Sequence, residues 1–208
     1  LRSTKFHDVD RSIIVLADDS LSMDIADKYS DRTLLQGLAD FLHSGPETLE
    51  STRRYDIVRR VFRDPEIGLL EKLRKKGKVS VYSFGGALRR QKQIPRRKEG
   101  DPPLTDSERE VLPDYDGVRG EERVRETRIS DALLDAVSGE RSNERRAGPG
   151  GGDQRIAGII LLSDGQQTPG ARPVDDVARR LGGQKIPVFS VGVGNPDDPE
   201  DIRVINLD

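Results

Sequence analysis

Two patterns of apolar residues alternate along the chain, one typical of strands and the other of amphipathic helices. Short apolar runs rich in β-branched residues, and runs in which apolar and polar residues alternate, predict strands. These lie at about 11–17, 79–84, 156–162 and 187–194, with residues 87–94 pairing back as an edge strand. Apolar residues at three- and four-residue spacings predict helices at about 32–43, 52–63 (capped by Thr52), 66–76, 127–138 and 173–181.

The alternation of strands and helices indicates the fold class. The runs at about 11–17, 156–162 and 187–194 are predominantly apolar, which is typical of parallel strands covered on both faces. We therefore expect an α/β fold with a Rossmann-like, doubly wound, mostly parallel central sheet. One antiparallel edge strand and helices on both faces complete the expected architecture. In folds of this class, ligands bind at the carboxyl edge of the sheet.

The composition predicts one domain with a limited core and charged insertions. The chain has 208 residues, enough for a single domain over residues 1–208, and is 33% hydrophobic and 35% charged. A net charge of −2 gives no general attraction to nucleic acid or to anionic membranes. Cysteine is absent, which excludes disulfides and thiolate metal sites. No apolar run approaches the roughly 20 residues of a membrane span.

Several segments interrupt the regular pattern. Residues at about 30–50 predict a helical insertion near the carboxyl edge, where it could act as a lid. Dense charges and scattered prolines at about 95–126 predict a long, charged surface loop that could be partly disordered. The basic run at 89–98 has few aromatic neighbours, so a solvated edge is favoured over a nucleic-acid surface. Gly148–Gly152 predicts a flexible linker, and the strand-like alternation at 202–207 indicates a fragment of a longer protein.

Polar side chains follow two of the predicted strands. Asp18 ends the first apolar run, and Ser20 and Ser22 follow at every second position. If the chain stays extended, these three side chains point the same way. Asp164 comes just after a second apolar run. An acid with two hydroxyls is a hard-oxygen set suited to Mg²⁺, Mn²⁺ or Ca²⁺ and poorly suited to zinc. A polar turn that caps a helix, or a turn before Gly165, is the alternative interpretation.

The motifs resemble those of a von Willebrand factor type A (VWA) domain with a metal-ion-dependent adhesion site (MIDAS). The Asp-x-Ser-x-Ser motif of that family is matched at Asp18, Ser20 and Ser22. Residues 127–133 (TRISDAL) are similar to its Thr-x-hydrophobic-small-x-Ala-Leu motif, and 161–165 (LLSDG) to its Leu-Leu-Thr/Ser-Asp-Gly motif. All of these motifs occur in the order of the family, and the resemblance covers about residues 11–196.

The resemblance implies a function as well as a fold. It implies that Asp18, Ser20, Ser22, Thr127 and Asp164 bind a metal ion, with Mg²⁺ favoured over Mn²⁺ or Ca²⁺ and with no catalytic residues. The implied function is non-enzymatic binding of a protein, in which an Asp or Glu of a partner, or of another domain of the parent chain, completes the metal shell. For Thr127, a plain helix N-cap is the alternative. Leu21 departs from the family, in which glycine is common at that position.

A narrower resemblance joins the chain to a bacterial subgroup of this family. It rests on Arg54–Arg60, on the break at Asp64–Glu66 and on residues 157–170. Members of the subgroup are large membrane-anchored proteins, some with a glutamine amidotransferase-like domain. This implies a membrane-associated parent protein whose VWA domain lies on the extracytoplasmic, periplasmic side.

Two other functions compete with metal-dependent binding. Phosphoryl transfer could use an Asp at the same edge, but haloacid-dehalogenase-like phosphatases need a second Asp two positions later, where this chain has Ser20. The sequence also lacks a Gly-x-x-x-x-Gly-Lys-Ser/Thr loop for nucleotide phosphates. The third possibility is a degenerate VWA domain that scaffolds its parent protein without metal.

Overall fold

Five strands form one mixed sheet at the centre of the protein. A computed structural model describes residues 11–146, 155–168 and 172–196. The strands are β1 (Arg11–Asp18), β2 (Lys78–Phe84), β3 (Leu88–Ile94), β4 (Arg155–Ser163) and β5 (Val188–Gly192). Their order across the sheet is β3-β2-β1-β4-β5.

The directions of the strands confirm the expected fold class. β1 pairs in parallel with β2 on one side and β4 on the other, and β4 pairs in parallel with β5. β2 and β3 are antiparallel, which gives the single reversed edge strand. β1 lies at the centre, and its apolar residues 13–17 are buried because helices cover both faces. Asp18 pairs with Phe84 and Ala17 with Leu162, so β1, β2 and β4 end at the same edge.

Eight α-helices surround the sheet in the part of the chain that the structure describes. They are α1 (Arg32–Phe41), α2 (Pro46–Leu49), α3 (Arg54–Arg63), α4 (Leu69–Arg74), α5 (Asp106–Arg109), α6 (Tyr115–Val118), α7 (Ile129–Arg146) and α8 (Val174–Gly183). On one face of the sheet, residues of α3, α4 and α6 form a hydrophobic core with β1 and β2. On the other face, α7 and α8 cover β1 and β4. No described helix is long and apolar enough to cross a membrane.

The insertion at 30–50 is helical and has its own small core. Helices α1 and α2 occupy it, and Leu35, Ala39, Leu42 and Leu49 are buried against Ile57 of α3. Asp31 caps α1 by accepting hydrogen bonds from the backbone amides of residues 33 and 34. The suggested role of this insertion as a lid stays a prediction.

The segment at 95–126 differs from the charged loop expected from its composition. It contains α5, α6 and a 3-10 helix at Glu122–Arg125, and it buries six residues in or beside the main core. These residues are Leu104, Val111, Leu112, Tyr115, Val118 and Val124. Val111, Leu112, Tyr115 and Val118 have the i, i+1, i+4, i+7 spacing of an amphipathic helix, but Pro113 and the surrounding charged residues interrupt the run, so the composition of the segment conceals their burial.

Strand β5 is more exposed than its apolar sequence predicts. Phe189 is 60% exposed and Val191 46% exposed, so the expectation of a buried strand was wrong for this part of the sheet. These side chains are exposed because β5 is the last strand of the described sheet and is paired there only with β4. Phe189, Val191 and exposed Phe41 of α1 line an open apolar groove of about 740 Å³.

Smaller differences concern the ends of elements. Thr52 does not cap α3, because its hydroxyl donates to the carbonyl oxygen of Thr48 at 2.6 Å and Arg53 precedes the helix. Helix α7 begins at Ile129 and reaches Arg146, beyond the expected end at 138. The linker predicted at Gly148–Gly152 and the strand-like residues 202–207 lie outside the described residues.

Candidate metal centre

The loop after β1 turns sharply at Asp18. The Oδ1 atom of Asp18 accepts a hydrogen bond of 2.9 Å from the backbone amide of Ser20, and a 3-10 helix follows at Leu21–Asp24. The chain therefore does not stay extended, as the sequence interpretation assumed, because the Asp18 carboxylate stabilises a turn. The turn nevertheless keeps the two serines together, with 3.0 Å between the Oγ atoms of Ser20 and Ser22.

The end of β4 is bonded directly to this loop. The Ser163 hydroxyl donates a hydrogen bond of 2.6 Å to Oδ2 of Asp18 and accepts one of 3.1 Å from the amide of Gly165. Oδ1 of Asp164 accepts the amide of Gln166 at 3.1 Å, so Asp164 does form the turn considered as an alternative. Its Oδ2 atom points elsewhere, towards Arg54, so the turn does not account for the whole carboxylate.

Thr127 lies at the same edge of the sheet, on the segment that leads into α7. The amide of Arg128 donates to the carbonyl oxygen of Gly85, just after β2, at 3.0 Å. The backbone of Thr127 exchanges two hydrogen bonds with Thr168, which follows Asp164 by four positions. Helix α7 begins at Ile129 and is directly preceded by Arg128. Thr127 therefore lies two positions before the first residue of the helix. These bonds place Thr127 at the edge through its backbone, and they do not join its hydroxyl to the other four predicted residues.

Burial gives the site an unusual electrostatic character. Asp18 is completely buried, and this burial raises the pKa of its carboxyl to about 6 from an ordinary value of 3.8, against hydrogen bonds from Ser163 and Ser20. The nearby charge of Asp164 raises this pKa further. The buried Asp18 and the nearby Asp164 thus place two acidic side chains at this edge, where a cation would stabilise both of their charged forms.

A guanidinium group already lies at this edge. Arg54, at the start of α3, donates from Nη1 to Oδ2 of Asp164 at 3.1 Å and to the carbonyl oxygen of Ser22 at 3.3 Å. Its Nε and Nη2 atoms donate to the two carboxylate oxygens of Asp27 at 2.8 and 2.6 Å. The hydrogen bonds to Asp27 raise the pKa of Arg54, so its charge is permanent. Sequence reasoning noted Arg54 only within a family resemblance and assigned it no role.

Tyr115 supports the loop from the opposite side. Its ring is completely buried, with the centroid 4.8 Å from that of Tyr55, and its hydroxyl donates to the carbonyl oxygen of Ser20 at 3.0 Å. Burial raises the pKa of Tyr115 to about 12, so the hydroxyl keeps its proton for this bond. Tyr115 lies in the segment taken for a charged loop, and no pattern in the sequence indicates its contact with the loop at residues 18–22, which is called the metal loop because it carries three of the predicted ligands.

The oxygens at this edge fit a hard divalent cation. Asp18 and Asp164 supply carboxylates, while Ser20, Ser22 and Thr127 carry hydroxyls, and Mg²⁺, Mn²⁺ and Ca²⁺ prefer such ligands. Within the described residues, no group of three or more His, Cys, Asp or Glu side chains could hold a metal ion. A metal at this edge therefore needs hydroxyl oxygens in addition to the two carboxylates.

Comparison with known proteins gives likenesses of structure. No protein-family model matches the sequence, and no curated protein matches it. The chain is similar to proximal thread matrix protein 1 (PTMP1) of the mussel byssus, with 22% identity and a TM-score of 0.42 over 89% of this chain and 38% of that one. A further PTMP1 structure, 23% identical with a TM-score of 0.39 over 89% of this chain and 38% of that one, has a zinc-occupied MIDAS motif.

Two other solved structures are similar to the chain. Manganese-loaded TRAP protein of Plasmodium vivax is 16% identical, with a TM-score of 0.41 over 89% of this chain and 57% of that one. The conserved hypothetical protein BatB of Bacteroides thetaiotaomicron is 17% identical, with a TM-score of 0.38 over 88% of this chain and 66% of that one. The chain thus spans less than two thirds of the PTMP1 chain. The observed order and direction of the strands are those of a Rossmann-like, mostly parallel sheet with one antiparallel edge strand, which is the fold that the resemblance of the sequence motifs to a VWA domain implies.

Proposed function

We propose that this domain is a non-enzymatic module that binds a protein partner through a divalent metal ion. The metal ligands in this proposal are Asp18, Ser20, Ser22, Thr127 and Asp164. The observation that carries it is the chain of hydrogen bonds from Ser163 through Asp18 to the serine pair. These bonds join the ends of β1 and β4 and gather oxygens beside a second buried carboxylate.

The balance of charges suits the capture of an anionic group. Three of the five proposed ligands are neutral hydroxyls, so an ion held here keeps much of its positive charge. Mg²⁺ is the expected ion, because it prefers oxygen ligands and directional, near-octahedral coordination. A carboxylate from an Asp or Glu of the partner, or from another domain of the parent chain, then supplies the remaining ligand.

The surface around the loop also suits a protein partner. Leu21, within the metal loop, is 45% exposed, and Ile25, just after the 3-10 helix, is 46% exposed. Apolar side chains beside a charged centre are typical of protein-binding surfaces, which combine an apolar contact with one directional polar contact. The exposed Leu21, at the position where the family commonly has glycine, is therefore expected to contact the partner.

One observation favours a second candidate function. Arg54 places a permanent positive charge 3.1 Å from Asp164, where it can neutralise part of the site. A degenerate VWA domain that scaffolds its parent protein without metal would have such an internal cation. Metal binding in the intact domain distinguishes this possibility from the proposed function.

Calorimetric titration with MgCl₂ and MnCl₂ tests the metal site. We expect saturable binding to the wild-type protein and none to the double variant Asp18→Ala/Ser22→Ala. The matched control is Asp40→Ala/Ser51→Ala, which removes the same two residue types from exposed positions. Asp40 lies in α1, and Ser51 lies just after α2. Equal binding by the site variant and the wild type would show that the assignment is wrong. A rise in the melting temperature with metal, reversed by chelator, supports the same conclusion.

A second experiment separates binding from catalysis. The manganese-loaded domain is titrated with acetate and with short peptides that contain Asp or Glu, using Asn and Gln peptides as controls. We expect weak binding of the acidic probes only, and only with metal. In a parallel screen with phosphate esters we expect no turnover. Metal-dependent turnover that disappears in Ser20→Ala would contradict a purely binding function.

A further inference from the structure

Arg54 connects Asp164 to the buried carboxylate of Asp27. Asp164 lies at the edge of the sheet that carries the proposed metal ligands, called the metal edge below. The guanidinium of Arg54 binds Asp27 with two hydrogen bonds and extends its remaining nitrogen to Asp164 and to the carbonyl oxygen of Ser22. Only 13% of the Arg54 side chain is exposed, against 7% for Asp27 and 4% for Asp164. Ion pairs that are buried to this degree are weakly screened by solvent, so they affect the local electrostatic potential strongly.

The backbone around Arg54 holds the guanidinium in place. The amide of Arg54 donates to the carbonyl oxygen of Ile25 at 2.9 Å, which fixes the start of α3 on the segment that follows the metal loop. Gly194 closes the opposite side with a φ of +119°, and a Cβ atom there would lie 2.6 Å from Nε of Arg54 and 3.1 Å from Oδ2 of Asp27. A glycine is thus required where the chain leaves β5, because a side chain would collide with the ion pair.

We propose that Arg54 is an internal cation of the metal edge, which holds Asp164 when no metal is bound and limits the affinity for a divalent ion. The inference rests on the proposed function in so far as the edge is a metal site. Without metal, the guanidinium compensates Asp164, which would otherwise be a buried charge without a cation. With metal, the same positive charge opposes the ion and leaves it more attractive to a partner carboxylate.

An open pocket borders the ion pairs of Arg54 and includes Asp164 among the proposed ligands. Arg54, Asp27 and Asp164 line a cavity of about 830 Å³ that also borders Tyr29 and Asn195. Asp27 binds the guanidinium through Nε and Nη2, which are not the nitrogen that contacts Asp164, so the positive charge stays near the edge whether or not Asp164 turns towards a metal. Asp27 and Arg54 together therefore set the potential, and their removal should have opposite effects on metal affinity.

The test compares three variants with the wild-type domain by calorimetric titration with MnCl₂ and MgCl₂ at low ionic strength. Arg54→Gln removes the charge and keeps hydrogen-bonding capacity, Arg54→Lys keeps the charge, and Asp27→Asn leaves the guanidinium without its main counterion. We expect the metal dissociation constant to fall about tenfold in Arg54→Gln, to change little in Arg54→Lys and to rise in Asp27→Asn. The tightening in Arg54→Gln should diminish at high salt.

The metal-free protein supplies an independent readout. Arg54→Gln is expected to have a lower melting temperature than the wild type without metal, because Asp27 and Asp164 lose their cation, and a larger rise when metal is added. Acetate binding to the manganese-loaded domain should weaken in the same variant. The control is Arg60→Gln on the same helix, which loses contacts with Ser44 and the carbonyl oxygen of His43 and should leave the metal affinity unchanged.

The outcomes separate this inference from the proposed function. If the wild type binds metal and Arg54→Gln binds it more weakly or equally, the inference is wrong and the metal site stands. If the wild type does not bind metal but Arg54→Gln does, the inference stands and the proposed function is wrong for the native chain. If neither protein binds metal, both are wrong. A residue with a purely structural role would weaken binding on removal, so tighter binding is the diagnostic result.

Discussion

The hydroxyl of Tyr115 donates a hydrogen bond of 3.0 Å to the carbonyl oxygen of Ser20, 95 positions earlier in the chain. This contact ties the short helix α6 to the loop that carries three of the five proposed metal ligands. The segment at 95–126 is therefore part of the support of the site and does not merely connect β3 to α7.

Replacing Tyr115 by Phe tests this support. Tyr115→Phe keeps the ring against Tyr55 and removes only the hydroxyl, so we expect a loss of about 1 kcal/mol in the free energy of unfolding. Because the Ser20 loop loses its anchor, the metal affinity should also fall several-fold. Tyr55→Phe is the matched control, since its hydroxyl donates to the carbonyl oxygen of Pro113 and not to the loop. Equal metal affinities in the two variants would contradict a role for Tyr115 at the site.

The parts of the site that the sequence predicts are those that directly follow apolar runs. Asp18 and Asp164 each follow a strand long enough to be recognised, and parallel neighbouring strands end at one edge, so their proximity follows from the fold class. Ser163 lies within the same motif, but its bond to Asp18 depends on the register of β1 and β4. The register of two strands far apart in the sequence is not visible in either strand alone.

Arg54 and Tyr115 could not be assigned from the sequence for a different reason. Both act through contacts between segments that are distant along the chain, and both lie beside charged residues that are common on solvated surfaces. The expected extended backbone after Asp18 was wrong because the Asp18 side chain bends its own backbone by accepting the amide of Ser20, although the hydroxyls of Ser20 and Ser22 still lie together. The amino-acid composition of the loop does not reveal whether a bond from a side chain to the backbone will favour a turn over a continued strand.

Thr127 offers a test of ligand against structural role. Thr127→Ala should lower the metal affinity about tenfold or more but change the free energy of unfolding by less than about 1 kcal/mol, because the bonds to Thr168 use its backbone. Thr127→Ser should retain binding. As a comparison, Thr105→Ala removes the capping box of α5, which should reduce stability by about 1 kcal/mol without affecting metal affinity. If Thr127→Ala behaves like Thr105→Ala, Thr127 is not a ligand.

Metal binding is expected to depend on pH near neutrality. Without metal, burial raises the pKa of Asp18 to about 6, and the carboxyl must lose its proton to bind an ion. Affinity should therefore be constant above about pH 7 and fall roughly tenfold per unit below pH 6, with protons released on binding. Calorimetry at several pH values, in buffers of different ionisation enthalpy, measures both effects. Unchanged affinity between pH 5 and 7.5 would argue against Asp18 as a ligand.

Glu140 predicts an acid-sensitive contribution to stability that is separate from the metal. Its buried carboxylate accepts hydrogen bonds from Tyr82 at 2.7 Å and Ser12 at 3.2 Å and lies 3.1 Å from Nζ of Lys78. Burial alone would raise the pKa of Glu140, but the bonds from Tyr82 and Ser80 and the charge of Lys78 together hold it below its ordinary value of 4.5. This stabilisation is present above pH 4.5 and is lost as the pH falls through the folded pKa.

The variant Glu140→Gln should lose about 2 kcal/mol in the free energy of unfolding at pH 7, with a smaller difference from the wild type below pH 4.5. Denaturant titrations at both pH values measure this, with the exposed Glu99→Gln as a control. Metal affinity should not change, because Ser12 and Lys78 lie at the opposite, amino-terminal edge of the sheet. A stability difference that is independent of pH would mean that the charge of Glu140 is not responsible.

The bond between Ser163 and Asp18 joins residues 145 positions apart, so the proposed site is complete only when β4 is paired with β1. β1 is the first of the five described strands in the chain but lies at the centre of the sheet, and its second neighbour, β4, comes after β2, β3 and α7 in the sequence. A metal ion at this edge can therefore bind only after β4 has docked. A bound metal ion should therefore slow unfolding and leave the rate of folding nearly unchanged.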